Sequence, residues 1–179
     1  YECFQLLEQM DEIVLSGDGE GFFHAEDIQE IFRILHTIKG TSGIMMYDNI
    51  GFTAHKLEDI FYYLREVSAQ EVPKAGLSEC IFAAADFMVG ELGKIKKGEH
   101  PDGNPEEAVR KAEAYLEAVK AEIQRCGVEM PPENVYASPG MYYNAPLQEE
   151  SKPRKRVKID LGTEPEPRPE MHPGDYVLT

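Results

Sequence analysis

Through residue 126, apolar side chains return every three or four positions and nowhere alternate convincingly in twos, a pattern that only helices can bury. Cys3, Leu6, Leu7, Met10, Ile13 and Val14 set a first helix over about 2–15, closed by Ser16-Gly17-Asp18-Gly19. Ile28, Ile31, Phe32, Leu35, Ile38, Ser42 and Met45 set a second from about Ala25 to Met46, with Glu26 and Asp27 in the first turn, where negative charge suits the helix dipole. A third, from about Asn49 to Val67, carries Phe52, Leu57, Ile60, Phe61 and Leu64 behind Asp48 as N-cap. Pro73 and Gly76 precede a fourth, about Leu77 to Lys97, with Ile81, Phe82, Ala85, Met88, Leu92 and Ile95 as its stripe. It ends in Lys94, Lys96 and Lys97, at the pole that favours cations. Asn104-Pro105-Glu106-Glu107 then reads as N-cap, proline at the first helical position and two acids in the first turn. That fifth helix runs to about Arg125 on Val109, Ala112, Leu116, Val119 and Ile123, with Gly127 past its end. Only a few residues join the second and third helices, so these two must be antiparallel neighbours. Residues 1–126 thus predict an all-α, up-and-down antiparallel helical bundle.

Beyond Gly127 the composition changes: nine of the twelve prolines lie between Pro131 and Pro173, and few apolar residues remain to bury. Residues 127–179 therefore read as an extended, mostly irregular linker. One island interrupts it, the basic run Lys152–Lys158 leading into Val157-Lys158-Ile159-Asp160-Leu161, which predicts a short strand near 156–161 or a segment that docks on a neighbour. Four or five cations without aromatic partners are a poor nucleic-acid footprint. The formal net charge of −15 argues further against nucleic acid or an anionic membrane as a partner. No run approaches the roughly twenty apolar residues needed to cross a bilayer, and no signal segment opens the chain, so the expectation is a cytoplasmic protein without direct membrane insertion. Cys3, Cys80 and Cys126 are scattered and without a CxxC pair, and read as buried, inert thiols rather than a disulfide frame or a zinc site. The chain opens at Tyr1 inside a periodic pattern and stops at Thr179 without a stop signal, which reads as a piece of something longer.

The chemistry turns on the histidines. His24 precedes the second helix, His100 lies in a loop and His172 in the tail, each unaccompanied by other reactive side chains. His36 sits beside the apolar stripe of the second helix, with Lys39 at i+3, Gly40 at i+4 and Gly43 at i+7 on the same face. Two glycines inside a helix cost roughly 1 kcal/mol each against alanine. They make sense where another protein must come close to the imidazole. Nineteen residues on, His55 and Glu58 lie one turn apart on the adjacent helix. Two histidines and a glutamate could ligate a metal, but no Glu-x-x-His repeat of the di-metal bundles is present and Lys39 would repel a cation, so no metal is expected. An exposed histidine near an acid by chance fits the spacing equally well.

Phe32-Arg33-x-x-His36-x-x-Lys39-Gly40, with Gly43 after it and His55-x-x-Glu58 at that distance, resembles the histidine phosphotransfer (HPt) domain at the N-terminus of CheA-type chemotaxis kinases. The likeness in helix count and order extends to about residue 126, a four-helix HPt core plus a fifth helix, with motif residues on the second and third helices only. It implies that His36 is the phospho-accepting residue, that Glu58 fixes the tautomer of its ring, that His55 joins their hydrogen-bond network and that Lys39 stabilises charge on the phosphoryl group. It implies two partners: a CheA-like ATP-binding kinase domain in the parent chain as donor, and an aspartate of a CheY- or CheB-like response regulator as acceptor. An HPt module of a hybrid kinase or a stand-alone phosphorelay protein would carry the same histidine chemistry. Nothing resembles an ATP site, neither a phosphate-binding Gly-rich loop nor Asp-x-Gly-x-Gly, so this stretch reads as substrate and relay, with ATP and Mg²⁺ supplied by partner domains.

Overall fold

The computed structural model describes residues 2–16, 21–134 and 157–161. Helix α1 spans Glu2–Leu15; the two-residue strand β1, Phe22–Phe23, leads into α2, Ala25–Ile44; α3 follows at Asp48–Glu66. Strands β2, Ala69–Gln70, and β3, Val72–Pro73, precede α4, Lys74–Lys96, and α5, Glu106–Arg125. A last strand, β4, is Val157–Lys158. The all-α bundle read from periodicity is the architecture found, and the helix bounds agree to within three residues.

The local signals explain most of those bounds. The His24 amide donates to the carboxylate of Asp27 (2.9 Å), which fixes the entry to α2. Met46 takes a left-handed φ of 57° in the short turn that reverses the chain into α3. Asp48 lies in the first turn of α3, with Tyr47 and not Asp48 at the cap. Ala75 and Gly76 leave helical geometry, Gly76 with φ 77°, so the regular part of α4 begins at Leu77. A side chain at Gly76 would also crowd the ring of Tyr115 at 3.3 Å. Asn104 Oδ1 accepts the amide of Glu106 (3.0 Å), the capping bond its sequence position foretold.

α2 packs most extensively on α3, α5 lies against α3 and α4, and α1 closes the far side against α2 and α4. Leu7 and Met10, Ile31 and Leu35, Leu57 and Phe61, Ile81 and Met88, and Val119 and Ile123 bring all five helices into one core. Fully burying a side chain of this size stabilises by about 1.5–3 kcal/mol, so this shared core, more than helix propensity, holds the bundle. Phe52, assigned to the buried stripe of α3, is instead exposed. Of the three free cysteines only Cys80 is buried; Cys126 is exposed.

Two small pairings lie outside the helical pattern, and of their four strands only β4 was marked by alternation in the sequence. β1 runs antiparallel to β3, with Phe23 opposite Val72. β4 runs parallel to β2, with Ala69 opposite Val157, so the short strand expected near 156–161 docks on the bundle itself. Ile159 is only 2% exposed and enters the core, while Leu161, Val128 and Met130 pack against it. Tyr62 Oη donates to the carbonyl of Pro132 (3.1 Å). The reading that little beyond Val128 is available to bury does not hold for these stretches. Residues 135–156 and 162–179, with His172 and most of the basic island, lie outside the described residues.

Candidate phosphotransfer site

α2 and α3 run antiparallel, and the order of their contacts shows it. A side chain at Gly51 would meet Ser42, Glu58 meets Lys39 and His36, and Arg65 meets Phe32. The centre of this seam is Glu58, 1% exposed on the core side of α3. His36 Nδ1 lies 2.8 Å from its Oε1, and Lys39 Nζ pairs with its Oε2. His55, mostly buried one turn earlier, places Nδ1 3.8 Å from Glu58 Oε2 and Nε2 3.6 Å from Asp59 Oδ2. Both separations exceed direct hydrogen-bond length. Asn134, from the chain beyond α5, donates to Asp59 Oδ1 (3.1 Å).

Burial raises the cost of charge on Glu58, yet the favourable contacts of His36, His55 and Lys39 outweigh it and hold the carboxyl at about 2. For Asp59 burial prevails and the carboxyl is pushed up. An ionised Glu58 is an acceptor only, so His36 Nδ1 must be the donor and carry the proton. The lone pair of the neutral ring is then on Nε2. The His36 side chain is 44% exposed although its partner carboxylate is not. One edge of the imidazole is therefore anchored while the ring stays accessible.

All four of the side chains marked by spacing come together here, but Lys39 is placed differently from a surface cation. It is 2% exposed and turned inward to Glu58. Gly40 is half-buried, and a methyl group added there would meet nothing within 4 Å. Gly43 is exposed. Sequence reasoning missed Arg65: its guanidinium lies 4.0 Å from the centroid of Phe32, whose ring stacks on the His36 imidazole at 6.0 Å and 22°. Its position seven residues after Glu58, on the same face of α3, was the available signal. Among the described residues no group of three or more His, Cys, Asp or Glu side chains could hold a metal ion. Nor, among them, is any helix long and apolar enough to cross a membrane.

A helical bundle that presents a half-exposed histidine on a buried carboxylate is the architecture of a phosphotransfer module, and residues 2–86 match the Hpt domain family. This part of the chain is an Hpt domain of the histidine kinase-related two-component type. The chain is also similar to the sensor histidine kinase CheAY of Helicobacter pylori, 24% identical over 125 residues. That alignment covers 68% of this chain and 15% of the kinase, so the chain corresponds to a small part of its relative.

Proposed function

We propose that His36 accepts a phosphoryl group at Nε2 from the ATP-binding domain of a CheA-like kinase and passes it to an aspartate of a CheY- or CheB-like response regulator in the cytoplasm. The observation that carries this reading is the 2.8 Å contact of His36 Nδ1 with buried Glu58 beneath a half-exposed ring. The Nε2 lone pair forms the N–P bond as the bond from phosphorus to the ADP oxygen breaks, the electron pair leaving with ADP. The ring keeps its Nδ1 proton and becomes formally cationic, and the ionised Glu58 beside it stabilises that charge as it develops. Lys39 pairs with Glu58 and helps to keep it ionised, and stabilises charge on the phosphoryl group as the likeness implies. His55 lies 3.8 Å from the same carboxylate, with Asp59 3.6 Å from its other ring nitrogen. Open space at Gly40 and the exposed Gly43 leave room for a partner next to the ring. ATP and Mg²⁺ belong to the partner domains in this scheme.

The test is His36→Gln in the whole chain, mixed with ATP and a CheA-type kinase lacking its own phosphotransfer domain. The wild-type chain is expected to acquire an acid-labile phosphate on His36, and the variant none while keeping its helical circular dichroism. Label on His55, or on the His36→Gln chain, would overturn the assignment.

A further inference from the structure

The contacts of Glu58 restrain the His36 ring at one edge only. A single hydrogen bond leaves the imidazole able to rock about it, and in-line attack by Nε2 depends on where the ring plane points. The face of the ring meets Phe32, one turn earlier on α2, with the two planes only 22° apart. Phe32 is nearly buried, and the Arg65 guanidinium covers it at 4.0 Å from the ring centroid. Arg65 is itself held, with Nη2 3.2 Å from Glu66 Oε1 and the Tyr62 ring 5.9 Å away. Phe32 and His36 are four apart on α2, and Glu58 and Arg65 seven apart on α3, so one turn of α2 and two turns of α3 interlock around the imidazole.

We propose that Phe32 and Arg65 are positioning residues for His36, Phe32 fixing the plane of the imidazole and Arg65 fixing Phe32 from the last turn of α3. The proposal rests on His36 being the phosphorylated residue only for its kinetic consequence; the ordering of the ring stands apart from it. Arg65 touches neither the imidazole nor a substrate and acts through the aromatic ring alone. A guanidinium over an aromatic ring near the surface contributes about 0.5–1 kcal/mol, which corresponds to roughly two- to fivefold in a rate if that energy is used to orient the nucleophile.

The experiment compares Phe32→Leu, which keeps bulk but removes the ring face, Arg65→Gln, and Arg65→Lys, which restores a cation. Two readouts are followed in the full chain: the ¹⁵N resonances of the His36 ring, and kcat against KM for phosphorylation by the kinase domain. Arg65→Gln is expected to lower kcat about two- to fivefold and Phe32→Leu about tenfold, with KM unchanged and the ring resonances broadened or shifted toward the other tautomer. Arg65→Lys should recover most of the rate. Variants that fold, keep the wild-type ring spectrum and react at the wild-type kcat would overturn the proposal, and so would a loss confined to KM. Should Phe32→Leu fail to fold, the partly exposed Arg65 pair decides alone. A wild-type chain that takes no phosphate would remove the phosphotransfer reading, while the ring spectra would still decide whether Phe32 and Arg65 order His36.

Discussion

Two buried glutamates of the bundle, Glu58 and Glu91, are put to opposite use. Glu58 and Glu91 are 1% and 4% exposed, both are ion-paired to a lysine, and both carboxyls are held below their ordinary range. For Glu91, burial opposes the charge, but Lys94, the Gly103 amide and Asn49 prevail. Its Oε2 accepts from Asn49 Nδ2 and from the Gly103 amide, each at 2.8 Å, so it pins the loop between α4 and α5 to the first turn of α3. Asn49 also donates to the carbonyls of Pro101 and Gly103, at 3.0 and 3.2 Å. The partners of Glu91 are a side-chain amide, a backbone amide and a partly exposed lysine, none of them a nucleophile. Glu58 instead holds a half-exposed imidazole. Burial and a depressed carboxyl therefore mark a tightly used acid in both places, and only the partner's chemistry separates a reactive site from a structural pin.

The largest difference is expected in rate. Glu58→Ala, made together with Lys39→Met so that the buried ammonium does not lose its carboxylate, should slow phosphorylation of His36 by about 10²- to 10⁴-fold without abolishing it. A rapid-quench time course with the kinase domain checks this, and a wild-type rate would make Glu58 a pin like Glu91. In the single Glu58→Ala variant the buried Lys39 loses the Glu58 carboxylate, and unfolding in urea should show a loss of about 3–5 kcal/mol.

Acid comes next. Because Glu58 titrates at about 2 in the fold against an ordinary 4.5, its contribution to stability is complete above about pH 4.5 and drains away as the pH falls toward 2. The amount is ~3 kcal/mol. Urea midpoints taken at about pH 6 and about pH 3 should fall markedly for the wild-type chain and less for Glu58→Gln; equal falls would mean that the carboxylate is not the group being titrated.

Glu91→Ala should act on stability alone, costing about 1–3 kcal/mol because the Asn49 and Gly103 donors lose their acceptor. His36 should then be phosphorylated at the wild-type rate. Gly103→Ala should resemble it in kind, since a Cβ there would collide with the Glu91 carboxylate. A tenfold loss of rate in either variant would mean that the two glutamate sites are coupled. The smallest effect is expected at Gly40, where alanine fills open space and should raise stability by up to about 1 kcal/mol while slowing transfer to the regulator. Faster or unchanged transfer would show that the partner does not approach over Gly40.

The number, order and near-limits of the five helices were legible because helical burial imposes a period that each segment carries locally, and the Asn104 capping bond and the break at Gly76 are equally local signals. His36, Lys39, His55 and Glu58 were legible as a set because short connections force α2 and α3 into antiparallel contact, so residues on facing turns must meet. Which way each side chain points was decided by packing. Nothing in the spacing distinguishes Lys39 turned inward to Glu58 from a lysine reaching into solvent, or the buried Leu57 from the exposed Phe52. Arg65 over Phe32, Asn49 and Gly103 on Glu91, and Ile159 beneath the β2–β4 pairing join residues through contacts whose strength depends on distances of a few ångströms. A one-dimensional pattern determines which faces must be buried; only the packed helices determine which atoms on those faces come within bonding reach, because a hydrogen bond is lost over less than the width of a side chain and an ion pair weakens with its separation.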